Sequence, residues 1–136
     1  METITKNIPA LALRGLTVFP RMTASFDVER EISVRALERA METGQEIFLV
    51  TQRELGVELP EEKDLYEVGT VARVIQILRA SNSMMRVVME GGSRARLRRL
   101  RKRQARAQKR QRQQQTDPTF QRYAPLSYFA TYDYSR

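Results

Sequence analysis

From Ile8 to Leu97 apolar residues return at every second position in run after run, and only one stretch switches to helical spacing. That pattern demands strands stacked around a single helix. A two-residue period gives each strand one face for a core, while a 3.6-residue period gives a helix one buried stripe. The longest strand pattern runs from Val68 to Leu78, with Val71, Ile75 and Ile77 on one parity and Ala72, Val74 and Leu78 on the other, so both of its faces are expected to need cover. Ser81-Asn82-Ser83 then supplies turn chemistry, and Met85, Val87 and Met89 resume the alternation, which predicts a β-hairpin.

Earlier in the chain, Ile8 to Arg14 reads as a strand headed by Pro9, a position that need not donate to a ladder. After Gly15 and the apolar connection Leu16-Thr17-Val18-Phe19-Pro20, the alternation of Ala24, Phe26 and Val28 predicts a second strand. Val34, Leu37 and Met41, widened by Ala36 and Ala40, predict a helix over 31–42. Glu29 and Glu31 suit the positive end of its dipole, and Gly44 stands where a left-handed terminator belongs. Its face of Arg35, Glu38, Arg39 and Glu42 reads as solvated charge. Ile47 to Val50 is too short for a helix and fits a strand buried on both faces, before Pro60 breaks the pattern. Ala95 and Leu97 suggest a further strand, and Leu126, Tyr128, Ala130, Tyr132 and Tyr134 alternate in a last one. The fold class expected is α+β, mainly β, with small sheets or a pseudo-barrel packed on one amphipathic helix. With 136 residues, 41% of them hydrophobic, the chain is expected to form one domain over 1–136.

Charge is divided unevenly along the chain. Residues 1–97 carry 13 Lys or Arg against 14 Asp or Glu, whereas residues 98–136 carry 11 against 2. Between Arg98 and Gln115 there are nine cations, six glutamines and no acid, a composition that builds no core. Like charges at i, i+4, such as Arg98 with Lys102 and Arg106 with Arg110, oppose a stable helix. Residues 98–123 are therefore read as a basic insertion, mobile or partly helical, ahead of the last strand.

Several chemistries are excluded by residue type. The chain has no cysteine and no histidine, so disulfides, thiolate metal sites and the commonest general base are absent. No Gly-x-x-x-x-Gly-Lys-Ser/Thr sequence cradles a nucleotide, and Gly91-Gly92-Ser93 reads as a turn or bulge between strands. No apolar run reaches the ~18 residues of a membrane span. Catalytic, cofactor and metal residues are all expected to be none, and the location cytoplasmic.

Three blocks carry a family resemblance: Leu13-Arg14-Gly15-Leu16-Thr17-Val18-Phe19-Pro20, Asp64-Leu65-Tyr66-Glu67-Val68-Gly69-Thr70-Val71-Ala72-Arg73 and Glu90-Gly91-Gly92-Ser93-Arg94-Ala95-Arg96-Leu97. In order and spacing, together with Arg30, Ser33 and Leu49-Val50-Thr51-Gln52, they resemble the amino-terminal domain of the ATP-dependent Lon protease. The resemblance covers residues 8–97. Ala12 and Ser25 stand where that family often has proline, and Glu29 where it usually has glycine. The resemblance implies a PUA-like fold and a non-catalytic domain that recognises unfolded or damaged protein for degradation. It also implies that ATP, Mg and the serine-protease chemistry belong to downstream domains of a homohexameric parent. The domain alone is expected to be a monomer or, through an isolated edge strand, a weak dimer.

Leu16, Val18, Phe19 and Met22, with Met84 near the hairpin turn, are the expected substrate contacts, because exposed apolar loops and adaptable methionines suit varied partners. Arg98, Arg99, Arg101, Lys102, Arg103, Arg106, Lys109, Arg110 and Arg112 form a second expected surface. As a stand-alone PUA-like module, such a chain would bind RNA, DNA or polyphosphate there by charge neutralisation.

Overall fold

The computed structural model describes residues 3–79, 84–104 and 126–135. In chain order these form β1 (Thr3–Leu13), β2 (Thr23–Val28), α1 (Glu31–Glu42), β3 (Glu46–Thr51), a 3-10 turn at Glu62–Asp64, β4 (Val68–Arg79), β5 (Met85–Gln104) and β6 (Leu126–Ser135). The turn expected at Ser81-Asn82-Ser83 lies outside the described residues.

All six strands belong to one sheet, ordered β2-β5-β4-β3-β1-β6, and β6 pairs with β5 as well as β1. The ring β5-β4-β3-β1-β6 is thereby closed, which removes most of the unpaired edge that an open sheet would present. β5 makes closure possible by its length of 20 residues. Its first part, Met85 to Glu90, pairs with β2, and its later part, Arg96 to Gln104, pairs with β6.

β1 and β3 run parallel at the centre of the sheet, which explains the unbroken apolar run Ile47 to Val50. Leu11, Leu13, Ile47 and Leu49 join one core cluster with Ala36, Leu37 and Ala40 of α1. Ala10, Ala12, Phe48 and Val50 join the other, with Ala95, Tyr128, Ala130 and Tyr132. Within it the rings of Phe48 and Tyr132 stack at 5.5 Å. The alternation read in β6 thus matches the burial of Tyr128, Ala130 and Tyr132.

The face that α1 buries differs from the expected stripe. Ile32, Ser33, Ala36, Leu37 and Ala40 are buried, whereas Val34 is only half-buried and Met41 is exposed. Three of the five are small, so the helix lies close to the sheet, and residue size misplaces its inner face by part of a turn. Gly44 does terminate the helix, with φ of 117°.

β4 departs from strict alternation. Its register against β5 shifts between Val74 and Gln76, leaving Ile75 as the extra residue of a bulge. Beyond that point the parity is reversed: Ile77 packs against the core, while Ile75 and Leu78 are each 51% exposed. The expectation that both faces of this strand are covered is therefore corrected for its second half.

Two further corrections concern β5. Gly91-Gly92-Ser93 lies inside the strand and not between strands; of the turn or bulge expected there it is the bulge, with three residues of β5 spanning two of β4. The strand also continues past Leu97, so Arg98 to Gln104 is extended rather than mobile or helical. β6 supplies the ladder for this segment, and Leu97 and Leu100 pack against the second core cluster while Arg98, Arg99 and Arg101 are exposed. The rest of the basic insertion, residues 105–123, lies outside the described residues.

Candidate functional site

The backbone of the apolar connection after β1 is hydrogen-bonded to the barrel from three strands, β3, β4 and β5. The Thr51 hydroxyl donates to the Leu16 carbonyl at 2.8 Å, and the Thr70 hydroxyl donates to the Val18 carbonyl at 2.7 Å. Further on, the Arg21 N–H donates to the Gly91 carbonyl at 2.9 Å, and the Gly91 N–H donates to the Met22 carbonyl at 2.8 Å. Between these anchors, Phe19-Pro20-Arg21-Met22 closes a tight turn through the Met22 N–H to Phe19 carbonyl bond of 3.1 Å. Pro20 precedes Arg21, whose φ is 67°, the arrangement of a type II turn.

The result is a rigid turn with apolar side chains outside. Phe19 is 50% exposed and Met22 36%. Below the turn, Thr17, Thr51, Tyr66, Val68 and Arg94 line a shallow groove of about 380 Å³. Tyr66 and Val68 are both exposed. Each exposed aromatic ring of this surface carries a guanidinium: Arg53 lies 4.9 Å from the Tyr66 centroid and Arg94 lies 5.9 Å from that of Phe19.

Beside the groove, and sharing Arg53, Tyr66 and Glu67 with it, lies a larger trough of about 910 Å³ between β5 and the segment 62–67. Arg96, Arg98, Arg99 and Arg101 form one wall. Its base is held by the Leu97 N–H donating to the Glu67 carbonyl at 2.7 Å and by the Leu100 N–H donating to Glu62 Oε1 at 2.8 Å. Arg98 is paired with Asp133 at 3.0 Å.

The loop between Gln52 and Pro60 is fixed by Arg30. Its Nη1 donates to Gln52 Oε1 at 2.7 Å and to the Glu58 carbonyl at 3.1 Å, and its Nη2 donates to the Ala12 carbonyl. Burial lowers the pKa of this guanidinium, and the charge of Arg14 lowers it further. Nearby, the Tyr128 hydroxyl donates to the Pro60 carbonyl at 2.7 Å, and burial pushes its pKa up to about 12. Among the described residues, no group of three or more Asp or Glu could hold a metal ion, and no helix is long and apolar enough to cross a membrane.

A barrel closed by a long fifth strand, with a Gly-anchored apolar turn at its side, is matched by the family model of the ATP-dependent protease La (LON) substrate-binding domain over residues 7–125. The chain belongs to that family. It is 47% identical over 92 residues to the Lon protease of Brevibacillus choshinensis, and 42% identical over 97 residues to that of Clostridioides difficile (strain 630). Those matches cover 68% and 71% of this chain and 12% of each relative, so the chain spans about an eighth of the proteins it resembles. Among solved structures, the N-terminal domain of Mycobacterium avium complex Lon protease matches with a TM-score of 0.60 at 15% identity, over 92% of this chain and 52% of that one. The Lon N-terminal domain protein from Xanthomonas campestris matches with a TM-score of 0.58 at 12% identity, over 93% of this chain and 58% of that one. At such identities the likeness is one of fold, here the mainly β fold of a Lon N-terminal domain.

As a LON substrate-binding domain the chain is a recognition module rather than a catalytic one. Of the five residues read as substrate contacts, Phe19 and Met22 are brought together on the exposed turn. Val18 is core, with 3% exposure, and Leu16 packs against the same cluster, since both face the barrel where Thr51 and Thr70 hold their carbonyls. Met84 is half-buried at the other end of β5. Tyr66 and Val68 were missed, although the burial of Leu65 on the opposite parity from Tyr66 is a signal that strand alternation could have supplied. Ile75 and Leu78 were missed because a bulge leaves no mark in composition. Of the basic residues, Arg98, Arg99, Arg101 and Lys102 are exposed on β5, and Arg103 lies on the same strand. Arg106, Lys109, Arg110 and Arg112 lie outside the described residues.

Proposed function

We propose that this LON substrate-binding domain docks unfolded or partly unfolded protein segments on the surface formed by Phe19, Met22, Tyr66 and Val68. The observation that carries this reading is the turn itself. Two large apolar side chains are held out of the core by backbone hydrogen bonds to Gly91, where a turn of ordinary solubility would carry polar residues. An apolar surface held rigid in advance loses little conformational freedom on binding. Its methionine and cation-capped rings suit segments of varied sequence.

In the parent protein such docking would deliver damaged protein to an ATP-dependent serine protease. ATP and Mg would act in its other domains, in a cytoplasmic homohexamer serving protein quality control. The likeness to Lon proteases and to the substrate-binding domain of an ATP-dependent protease supports this reading. The test is binding of a fluorescently labelled, permanently unfolded model protein to the 136-residue chain and to its Phe19→Ser and Met22→Ser variants. Weaker binding by folded variants supports the reading; unchanged affinity in both removes these residues from the surface.

A further inference from the structure

We propose that the arginine-walled trough along β5 takes acidic, extended polypeptide segments, so that the domain prefers substrates in which carboxylates alternate with apolar residues. This rests on the reading of the domain as a dock for protein segments, and adds to it a class of segment. The decisive feature is a second bulge. The register of β5 against β6 shifts between Leu97 and Arg99, so Arg98 is an extra residue. Strict alternation would turn one of Arg98 and Arg99 inward; the bulge keeps both on the trough side, next to Arg96 and Arg101. Four arginines within six residues thus share one wall.

Gathering like charge in this way opposes folding unless a partner relieves it. Asp133 pairs with Arg98, and among the described residues no salt bridge within 4.0 Å reaches Arg96, Arg99 or Arg101. Counting Arg53 and Lys63, six cations line the trough against the two carboxylates of Glu62 and Glu67.

Charge alone would also suit a nucleic acid, but two details favour a peptide. A single strand needs open aromatic faces on which bases stack. Here each neighbouring exposed ring, Tyr66 and Phe19, already carries an arginine on a face. The trough is also partly lined by Leu65 and Leu97 and crossed by Glu67. A uniformly charged phosphate backbone cannot keep its charges clear of Glu62 and Glu67, whereas a peptide whose carboxylates alternate with uncharged residues can. An extended peptide repeats its side chains every ~6.6–6.8 Å on one face, the two-residue spacing that separates Arg96 from Arg98 and, past the bulge, Arg99 from Arg101.

Fluorescence anisotropy with the 136-residue chain tests this, using a labelled disordered peptide of Glu, Leu and Ser, its Gln-for-Glu counterpart, and single-stranded oligothymidylate matched in charge. The Glu peptide is expected to bind about tenfold more tightly than the Gln peptide, the combined effect of three screened, exposed ion pairs. Arg99→Gln/Arg101→Gln should lose most of that preference while keeping the wild-type affinity for the Gln peptide. Arg96→Gln, a single change outside the bulge, should lose part of it and guards against misfolding of the double variant. Equal binding of the two peptides, oligothymidylate binding as tight as the Glu peptide, or full preference retained by folded variants would each overturn the proposal. Binding of neither peptide would instead overturn the docking function on which it rests.

Discussion

The carbonyl oxygen of Phe19 fills the space in which residue 91 would carry a Cβ, so Gly91 and Phe19 pack backbone against backbone. Everything the turn displays depends on that approach. The same glycine exchanges hydrogen bonds with Arg21 and Met22, so the turn cannot retreat without giving up both. A site that looks like a surface loop is therefore built from the inside of β5.

Gly91→Ala should destabilise the domain by about 1–3 kcal/mol, the usual cost of overpacking against an unyielding neighbour. Here the neighbour is backbone, which cannot swing aside as the end of a side chain can. Gly56→Ala is the control, because nothing lies within 4 Å of its added Cβ. Urea unfolding of both variants checks the expectation. A stability of Gly91→Ala equal to that of Gly56→Ala would show that the turn is not seated as described.

Ser33 offers a prediction of the opposite sign. Its side chain lies on the buried face of α1 at 2% exposure, and its hydroxyl has no hydrogen-bond partner among the described residues. A buried hydroxyl without a partner costs free energy, and serine is also the poorer helix former. Ser33→Ala should therefore stabilise the domain by about 1 kcal/mol. A rise in the urea midpoint at unchanged slope is the expected result. A fall would mean that the hydroxyl is paired in solution.

The sequence was legible where local pattern and tertiary environment agree. Strand alternation places β2 and β6, and the run Ile47 to Val50 announces β3 as a strand covered on both faces before any partner is known. Gly44 marks the end of α1 because few other residues tolerate its φ. What stayed hidden were features set by partners distant in sequence. The bulges at Ile75 and Arg98 depend on how β4, β5 and β6 fall into register, and no residue type at those positions signals an extra residue. They decide which side chains face out, so the exposed Ile75 and Leu78 and the four-arginine wall were invisible to alternation. The continuation of β5 through Arg98 was hidden for a related reason. A run so basic has no intrinsic preference for a strand, and it becomes one because β6 provides the ladder and Leu97 and Leu100 provide the inward contacts. The candidate site divides in the same way. Phe19 and Met22 could be read from an apolar connection, whereas the groove residues Tyr66, Val68 and Arg94 are assembled from segments up to 77 positions away.

The alkaline limb of stability should report on Tyr128. Burial raises its folded pKa from 10.0 to about 12, opposed in part by the charge of Arg30, so the fold holds the neutral phenol. The linked contribution is complete below pH 10 and is lost as pH rises through about 12, because the unfolded chain releases this proton first. Tyr128→Phe removes the titrating group together with the hydroxyl that donates to the Pro60 carbonyl. At pH 8 the variant should be less stable than the parent by about 0.5–1.5 kcal/mol, the worth of one buried hydrogen bond. Between pH 10 and 12 that gap should narrow, since only the parent has a phenol to ionise. Urea titrations of the pair at intervals across this range measure it. A gap that stays constant would place the Tyr128 hydroxyl in contact with solvent and detach it from Pro60.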